Sequence, residues 1–235
     1  KCNVLRTIIT NNSNGYTGGI AAFANNTISE CNVTSSKIIS TGTSANGLGG
    51  IVGHGSNFTN TLTYIYKCIV SGCTLTGNNG VGGIAGAGVA NIEESNVIGE
   101  VTEKVTLTSI DIEQEEISQS EEENIELEQQ NSEPEEEIQT VQEPVETIVK
   151  EYSSKITGKN NVGGILGDAG IISAYSQFAT LTNCTVKGTE ITGLSKISEA
   201  IGKNSYYTAN ETTIYDVLNN FIKETDNDKA VQISL

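Results

Sequence analysis

The stretch VGGIAG, Val81 to Gly86, returns as LGGIVG at Leu48 to Gly53, as VGGILG at Val162 to Gly167, and more loosely as TGGIAA at Thr17 to Ala22. A glycine pair followed by an aliphatic residue has two readings: a ligand-cradling loop used repeatedly, or one rung of a solenoid met four times. The flanking residues decide between them. Ile28, Cys31 and Val33 recur at the same offsets as Ile65, Cys68 and Val70, as Ile92, Ser95 and Val97, and as Leu181, Cys184 and Val186. Cys2 and Val4 form a truncated first copy. A further aliphatic residue stands at one fixed offset beyond the cysteine: Ile9, Ile38, Leu75 or Ile191.

The glycine pairs that begin at Gly18, Gly49 and Gly82 are nearly evenly spaced. A period of that size marks a solenoid before it marks a catalytic loop. Each period holds three short apolar segments rich in Val, Ile and Thr, separated by Asn, Ser, Thr and Gly turns, with no helical periodicity. The expectation is an all-β fold, a single-stranded parallel β-helix (β-solenoid) of about 31–33 residues per repeat. Equivalent residues would then stack about 4.8 Å apart. Ile20, Ile51, Ile84 and Ile165 would form one internal ladder and Cys31, Cys68, Ser95 and Cys184 a second, the thiols packing as small hydrophobes. Cys73 falls outside that ladder. The glycines would permit tight turns or close approach of neighbouring backbones. They lack the GK[ST] ending and following helix of a phosphate loop.

Composition agrees. The chain has 235 residues, no Met or Trp and two Pro. The missing Met, at position 1 as elsewhere, and the absent signal-peptide pattern read as an excised fragment of something longer. No apolar run approaches the length that crosses a bilayer, so no membrane-spanning segment is expected in the fragment. The net charge of -16 is local. Residues 111 to 151 hold 16 of the 29 acidic residues and one of the 13 basic ones. The remainder is nearly neutral, with no basic footprint for nucleic acid. Five cysteines without a CxxC pair, beside one histidine, argue against a disulfide framework or a zinc site.

The period breaks after Val97 and resumes only at Ile156, whereas an intact unit makes the same step within one short turn, from Val70 to Leu75. The expected layout is therefore β-helix coils over 1–99, an inserted acidic arm over 100–155, and the same β-helix again over 156–210. Its flanks, 100–112 and 145–155, would pair as a hairpin. The Glu-, Gln- and Ser-rich centre, 113–144, buries too little apolar surface to order itself, and its like charges oppose a helix over 117–129. Residues 211–235 would form a small C-terminal cap, with Ile214, Val217, Leu218, Phe221 and Ile222 on one face of a short amphipathic helix, or would begin a further domain.

Two other turns are expanded. The steps from Ile51 to Ile65 and from Ile165 to Leu181 are both longer than the equivalent steps from Ile20 to Ile28 and from Ile84 to Ile92. Both loops leave one corner and carry aromatic and polar residues. His54, Asn57, Phe58, Tyr64, Tyr66, Tyr175 and Phe178 are thus the candidate ligand-contact residues. No catalytic residue, cofactor site or metal site emerges. HExxH and calcium-loop patterns are absent, Asp168, Glu190 and Glu199 do not recur at matched offsets, and His54 lacks an evident partner.

The repeats resemble the GLUG motif, on the copies Leu48–Gly53, Val81–Gly86 and Val162–Gly167, each leading into Ile/Leu-x-x-Cys/Ser-x-Val. The resemblance covers most of residues 1–210 outside the insertion. It implies a right-handed parallel β-helix in a large extracellular, secreted or cell-surface bacterial protein, acting as a non-catalytic spacer and interaction module of adhesin type. Its partners would be a host glycan, a matrix protein or neighbouring domains, the fragment itself being monomeric. It also implies an alternative: the accessory region of an immunoglobulin A-cleaving zinc peptidase, whose chemistry would lie elsewhere. A polysaccharide-degrading β-helix enzyme is a third reading.

Overall fold

The computed structural model describes residues 1–43, 47–55, 62–108, 145–169, 171–172, 177–204, 207–210, 213–222 and 230–234. The chain divides into two compact units, Lys1–Thr102 with Glu151–Leu235, and Glu103–Lys150.

The first unit is an all-β, repetitive stack of parallel strands. One full coil runs through the strands Asn32–Thr34, Lys37–Ser40, Leu48–Gly49, Val52–Gly55 and Thr63–Tyr66. The next repeats them as Ile69–Ser71, Thr74–Thr76, Asn79–Gly82, Ala85–Gly88 and Ala90–Glu93. Each strand pairs in parallel with its counterpart one coil away, so Val33 meets Val70, Ile38 meets Leu75, Leu48 meets Val81 and Ile65 meets Ile92. The glycine elements stack as the repeat requires. The amide of Ile20 donates to the carbonyl of Ile51, Ile51 to Ile84, and Ile84 to Ile165, all at 2.9–3.0 Å.

The interior is a set of aliphatic columns. Val33, Ile38, Ile51 and Ile65 of one coil, and Val70, Leu75, Ile84 and Ile92 of the next, are at most 1% exposed. Each such side chain contributes about 1.5–3 kcal/mol of burial free energy, which holds the coils together without a helix among the described residues. The glycine pair is required by close approach. A Cβ on Gly50 would lie 2.2 Å from the carbonyl oxygen of Gly83, and one on Gly83 would lie 2.1 Å from that of Gly164. Neither glycine has a positive φ.

The cysteine column forms as expected: Cys31, Cys68, Ser95 and Cys184 are buried, and none of the thiols is in a disulfide. A shared hydrogen bond explains why serine substitutes for cysteine. The Sγ or Oγ atom donates to the carbonyl two residues back, at 3.3, 3.5, 3.0 and 3.4 Å in turn. Cys73 lies outside that column, as expected, and is buried in a second one. Register places Thr7, Ser36, Cys73, Ser154 and Thr189 over one another. Thr7, Ser36, Cys73 and Thr189 donate to the carbonyl two residues back in the same way.

Just ahead of the first small-residue column, the backbone turns through a left-handed residue: Glu30, Lys67, Glu94 and Asn183 have φ between 47 and 55°. Arg6, Ser35, Gly72 and Gly188 do the same ahead of the second. A left-handed residue redirects the chain, and the small residue after it fills the inside of the corner and secures a local carbonyl.

The insertion leaves the stack intact. Asn96–Ile98 pairs with Ile69–Ser71, and Ser154–Thr157 pairs with Thr74–Thr76, as parts of one coil. The cut ends are tied together, Ser153 N to Glu100 O at 2.9 Å and Glu100 N to Ser153 Oγ at 2.6 Å. Between them Val101–Thr108 and Val145–Tyr152 form a two-stranded sheet. In the second unit Lys150 lies 3.7 Å from Glu103, and Val105, Ile148 and Val149 are exposed. The acidic centre, including the 113–144 and 117–129 expectations, lies outside the described residues.

At the C-terminal side, the helix expected over 213–223 is replaced by the strand Thr213–Ile222, paired in parallel with Thr185–Gly193 and in antiparallel with Ala230–Ser234. The free edge of Thr185–Gly193 offers a row of backbone partners, which overrides a 3.6-residue apolar pattern in so short a segment.

Candidate interaction surface

The outward residues of each strand form columns of their own. On the face carrying Thr63–Tyr66, one column runs Thr27, Tyr64, Asn91, Thr180 and the next Ser29, Tyr66, Glu93, Thr182. Tyr64 and Tyr66 are two residues apart, so strand alternation puts both on this face. Tyr64 is exposed. Below it Thr180 Oγ1 donates to Asn91 Oδ1 at 2.9 Å. Tyr66 is half-buried, and its hydroxyl donates to Glu94 Oε1 at 3.3 Å.

The adjoining corner is built from the left-handed residues. Glu30, Lys67 and Glu94 alternate in sign from coil to coil. Lys67 Nζ lies 3.4 Å from Glu94 Oε2 and 4.7 Å from the centroid of the Tyr66 ring. The Tyr66 hydroxyl first, and the Glu94 carboxylate second, hold the Lys67 ammonium above the usual lysine range. Beside this corner is an open groove of about 360 Å³ lined by Lys1, Asn3, Glu30, Asn32, Lys67 and Ile69. Lys1 is paired with Glu30. The groove therefore presents amides and matched opposite charges, a lining suited to a neutral, hydroxyl-rich ligand more than to an ion.

His54 departs from its expected place. It lies in the strand Val52–Gly55, not in a loop, and is only 6% exposed. Its column, three residues beyond the glycine-element aliphatic, reads Phe23, His54, Ala87, Asp168, Lys203. The imidazole stacks on Phe23 at 5.9 Å between centroids and leans on Tyr16 at 4.3 Å. Among the described residues its Nδ1 is buried without a hydrogen-bond partner. Burial pushes its pKa below the ordinary 6.5, against smaller upward effects of the Gly55 backbone and the Asp168 charge. A surface ligand cannot reach it. Tyr16 and Phe23 escaped the sequence reading, although the offset of three that aligns Phe23 with His54 was available.

Of the remaining candidates, Asn57, Phe58 and Tyr175 lie outside the described residues, and Phe178 sits in the strand Gln177–Thr182, opposite Ile171. The structure thus brings together Tyr64 and Tyr66, and separates His54 from them by burial.

Two of the acidic residues weighed as catalysts, Asp168 and Glu190, are engaged across coils. Asp168 accepts from Asn161 Nδ2 at 3.0 Å and lies 3.3 Å from Lys203 Nζ. Glu190 lies 3.0 Å from Lys155 Nζ. Such pairs join neighbouring rungs of one column. Among the described residues no three His, Cys, Asp or Glu side chains are grouped to hold a metal ion, and no helix is long and apolar enough to cross a membrane. No family model matches the chain, and neither a curated protein nor a solved structure matches it.

Proposed function

We propose that this chain is a non-catalytic spacer and interaction module, a right-handed single-stranded parallel β-helix of GLUG type, within a large bacterial protein that is secreted or held at the cell surface. The observation that carries the reading is a parallel register continuing on both sides of a long interruption, with Thr76 over Thr157 and Val97 over Val186. A stack that accepts an insertion at one turn can display added segments along its length while its core stays constant. Its carboxylates support the non-catalytic part: Asp168 and Glu190 are matched to lysines on an adjoining coil and lie in different sheets. General acid–base hydrolysis of a glycoside needs two carboxyls facing each other across the scissile bond.

The contact face assigned to this module is the Tyr64–Tyr66 surface with its neighbouring groove, where an aromatic ring flanked by Asn and Thr suits stacking and hydrogen bonding to a sugar. The test is a glycan and matrix-protein binding screen on the intact chain and on Tyr64→Ala. Binding that weakens at least tenfold in the variant, with an unchanged circular dichroism spectrum, is expected. Absence of binding in both would reduce the module to a spacer. Release of reducing ends from a polysaccharide, abolished by Asp168→Asn, would overturn the non-catalytic reading.

A further inference from the structure

The face that carries Tyr64 and Tyr66 differs from its neighbours in what its outward columns hold. Both columns, the one through Thr27, Tyr64, Asn91 and Thr180 and the one through Ser29, Tyr66, Glu93 and Thr182, carry a hydroxyl, amide or carboxylate at every rung. On the adjoining faces the outward columns are interrupted by aliphatic side chains: Ile39 beside Thr76, Ile69 between Asn32 and Asn96, and Ile98 beside Ser71. Rungs of a column lie about 4.8 Å apart, and the two columns of one face about 7 Å apart. Polar groups therefore recur along the coil axis at a short, fixed interval. Tyr64, 48% exposed, sets a ring above this lattice. Beside it Thr180 Oγ1 donates to Asn91 Oδ1 at 2.9 Å, which leaves the Asn91 amide nitrogen to donate to a ligand and the Thr180 oxygen to accept from one.

We infer that the ligand of this face is a linear, uncharged polysaccharide of the extended, β-1,4-linked type, lying along the coil axis with about one sugar ring per coil. This rests on the reading of the Tyr64–Tyr66 surface as a sugar-contacting face, and adds the class of chain and its direction. The match is one of repeat. An extended β-1,4 chain presents successive rings, with their outward hydroxyls, at a rise close to the spacing of the coils. One ring can then stack on Tyr64 while its successors meet Asn91 and Thr180. A chain laid across the coils would leave these rungs after a single ring, and a helical α-1,4 chain turns its hydroxyls away from a straight lattice. Contacts at successive rungs reinforce one another, so a weak contact per ring becomes a strong one per chain. Charge points the same way. The Tyr64 column carries none, and a uronate or sulfated chain would meet the like charge of Glu93, with Lys67 already held by Glu94 and the Tyr66 ring.

Isothermal titration calorimetry of the full chain with cello- and manno-oligosaccharides of two to about six rings tests the inference. Affinity should rise at least about tenfold from the shortest probe to the longest. Thr180→Val/Thr182→Val, two rungs from the tyrosines and suited to a strand, should cut that gain with length at least about fivefold. Tyr64→Ala should weaken every probe, and both variants should keep the circular dichroism spectrum of the parent. Malto-oligosaccharides and oligogalacturonates of equal length should bind at least about tenfold more weakly. Affinity independent of length, or a gain untouched by Thr180→Val/Thr182→Val, would overturn the axial chain, while Tyr64-dependent binding of the short probes would leave the contact face standing. Malto-oligosaccharides or oligogalacturonates bound as tightly as the cello- and manno-probes would overturn the assigned class. No binding by any of these probes would overturn the inference, and the wider glycan and matrix-protein screen then decides separately on the face itself.

Discussion

A thiol enclosed by aliphatic side chains ionises reluctantly, and burial pushes Cys68, Cys73 and Cys184 above the ordinary thiol range. Cys2 is the exposed one. Native protein treated with a thiol reagent should therefore release one fast equivalent, with the other four appearing only on unfolding; two or more fast equivalents would contradict the packing. The shared i to i−2 hydrogen bond makes Cys68→Ser a small loss, about 1 kcal/mol. Cys68→Asp should cost more than about 3 kcal/mol by placing an unpaired carboxylate there, as denaturant titration would measure. His54 supplies a pH dependence with a definite sign. Its folded pKa lies below the unfolded 6.5, so at intermediate pH the unfolded chain binds the proton and the folded chain does not. The His54 contribution is complete above pH 6.5 and is lost as pH falls from there through the folded value. Denaturation midpoints should drop between pH 7.5 and 5.5, and drop less in His54→Phe; equal drops would mean that the imidazole is not held in an apolar setting.

At the scale of the strand and its corner, two backbone devices carry the coil, and only one of them was legible. The glycine pair announces itself, because nothing larger fits where Gly83 faces Gly164. Gly83→Ala should destabilise by at least about 2 kcal/mol. The left-handed corners give no such signal, since Glu30, Lys67 and Glu94 are not residues that mark a positive φ. Asn183, and Gly72 and Gly188 stacked in the column of Ser35, hint at them. Ser35→Gly should accordingly stabilise the fold by about 0.5–1 kcal/mol, the inverse of the usual penalty. A loss of stability in a chemical melt would show that the hydroxyl outweighs the strain. The Cys73 column was missed because Thr7, Ser36, Ser154 and Thr189 share size and a donor with Cys73 but no hydrophobicity. The Thr213–Ile222 strand was missed because its conformation is set by the edge of Thr185–Gly193, a full coil earlier in the chain. Tyr64 and Tyr66, expected on an expanded loop, share the strand Thr63–Tyr66, and the burial of His54 depends on Tyr16 and Phe23 from the preceding coil, which the sequence pattern of one loop does not show.

Over the whole molecule, stability is nearly a sum over coils and the interfaces between them, so what happens inside one turn matters little elsewhere. Replacing residues 103–150 by a short Gly–Ser link should leave the melting transition cooperative and raise stability by no more than about 2 kcal/mol, the entropy of closing a shorter loop. Loss of the transition would mean that the insertion is part of the core. The same additivity explains why composition misleads: the net charge of -16 belongs mainly to one stretch of sequence, while the stack is held by neutral columns. All of this rests on stacked register, which through-hydrogen-bond NMR couplings read directly. The amide nitrogen of Ile51 should couple to the carbonyl carbon of Ile84, and that of Ile84 to Ile165. An Ile51 amide coupled to any other carbonyl, or exchanging freely with solvent, would contradict the account.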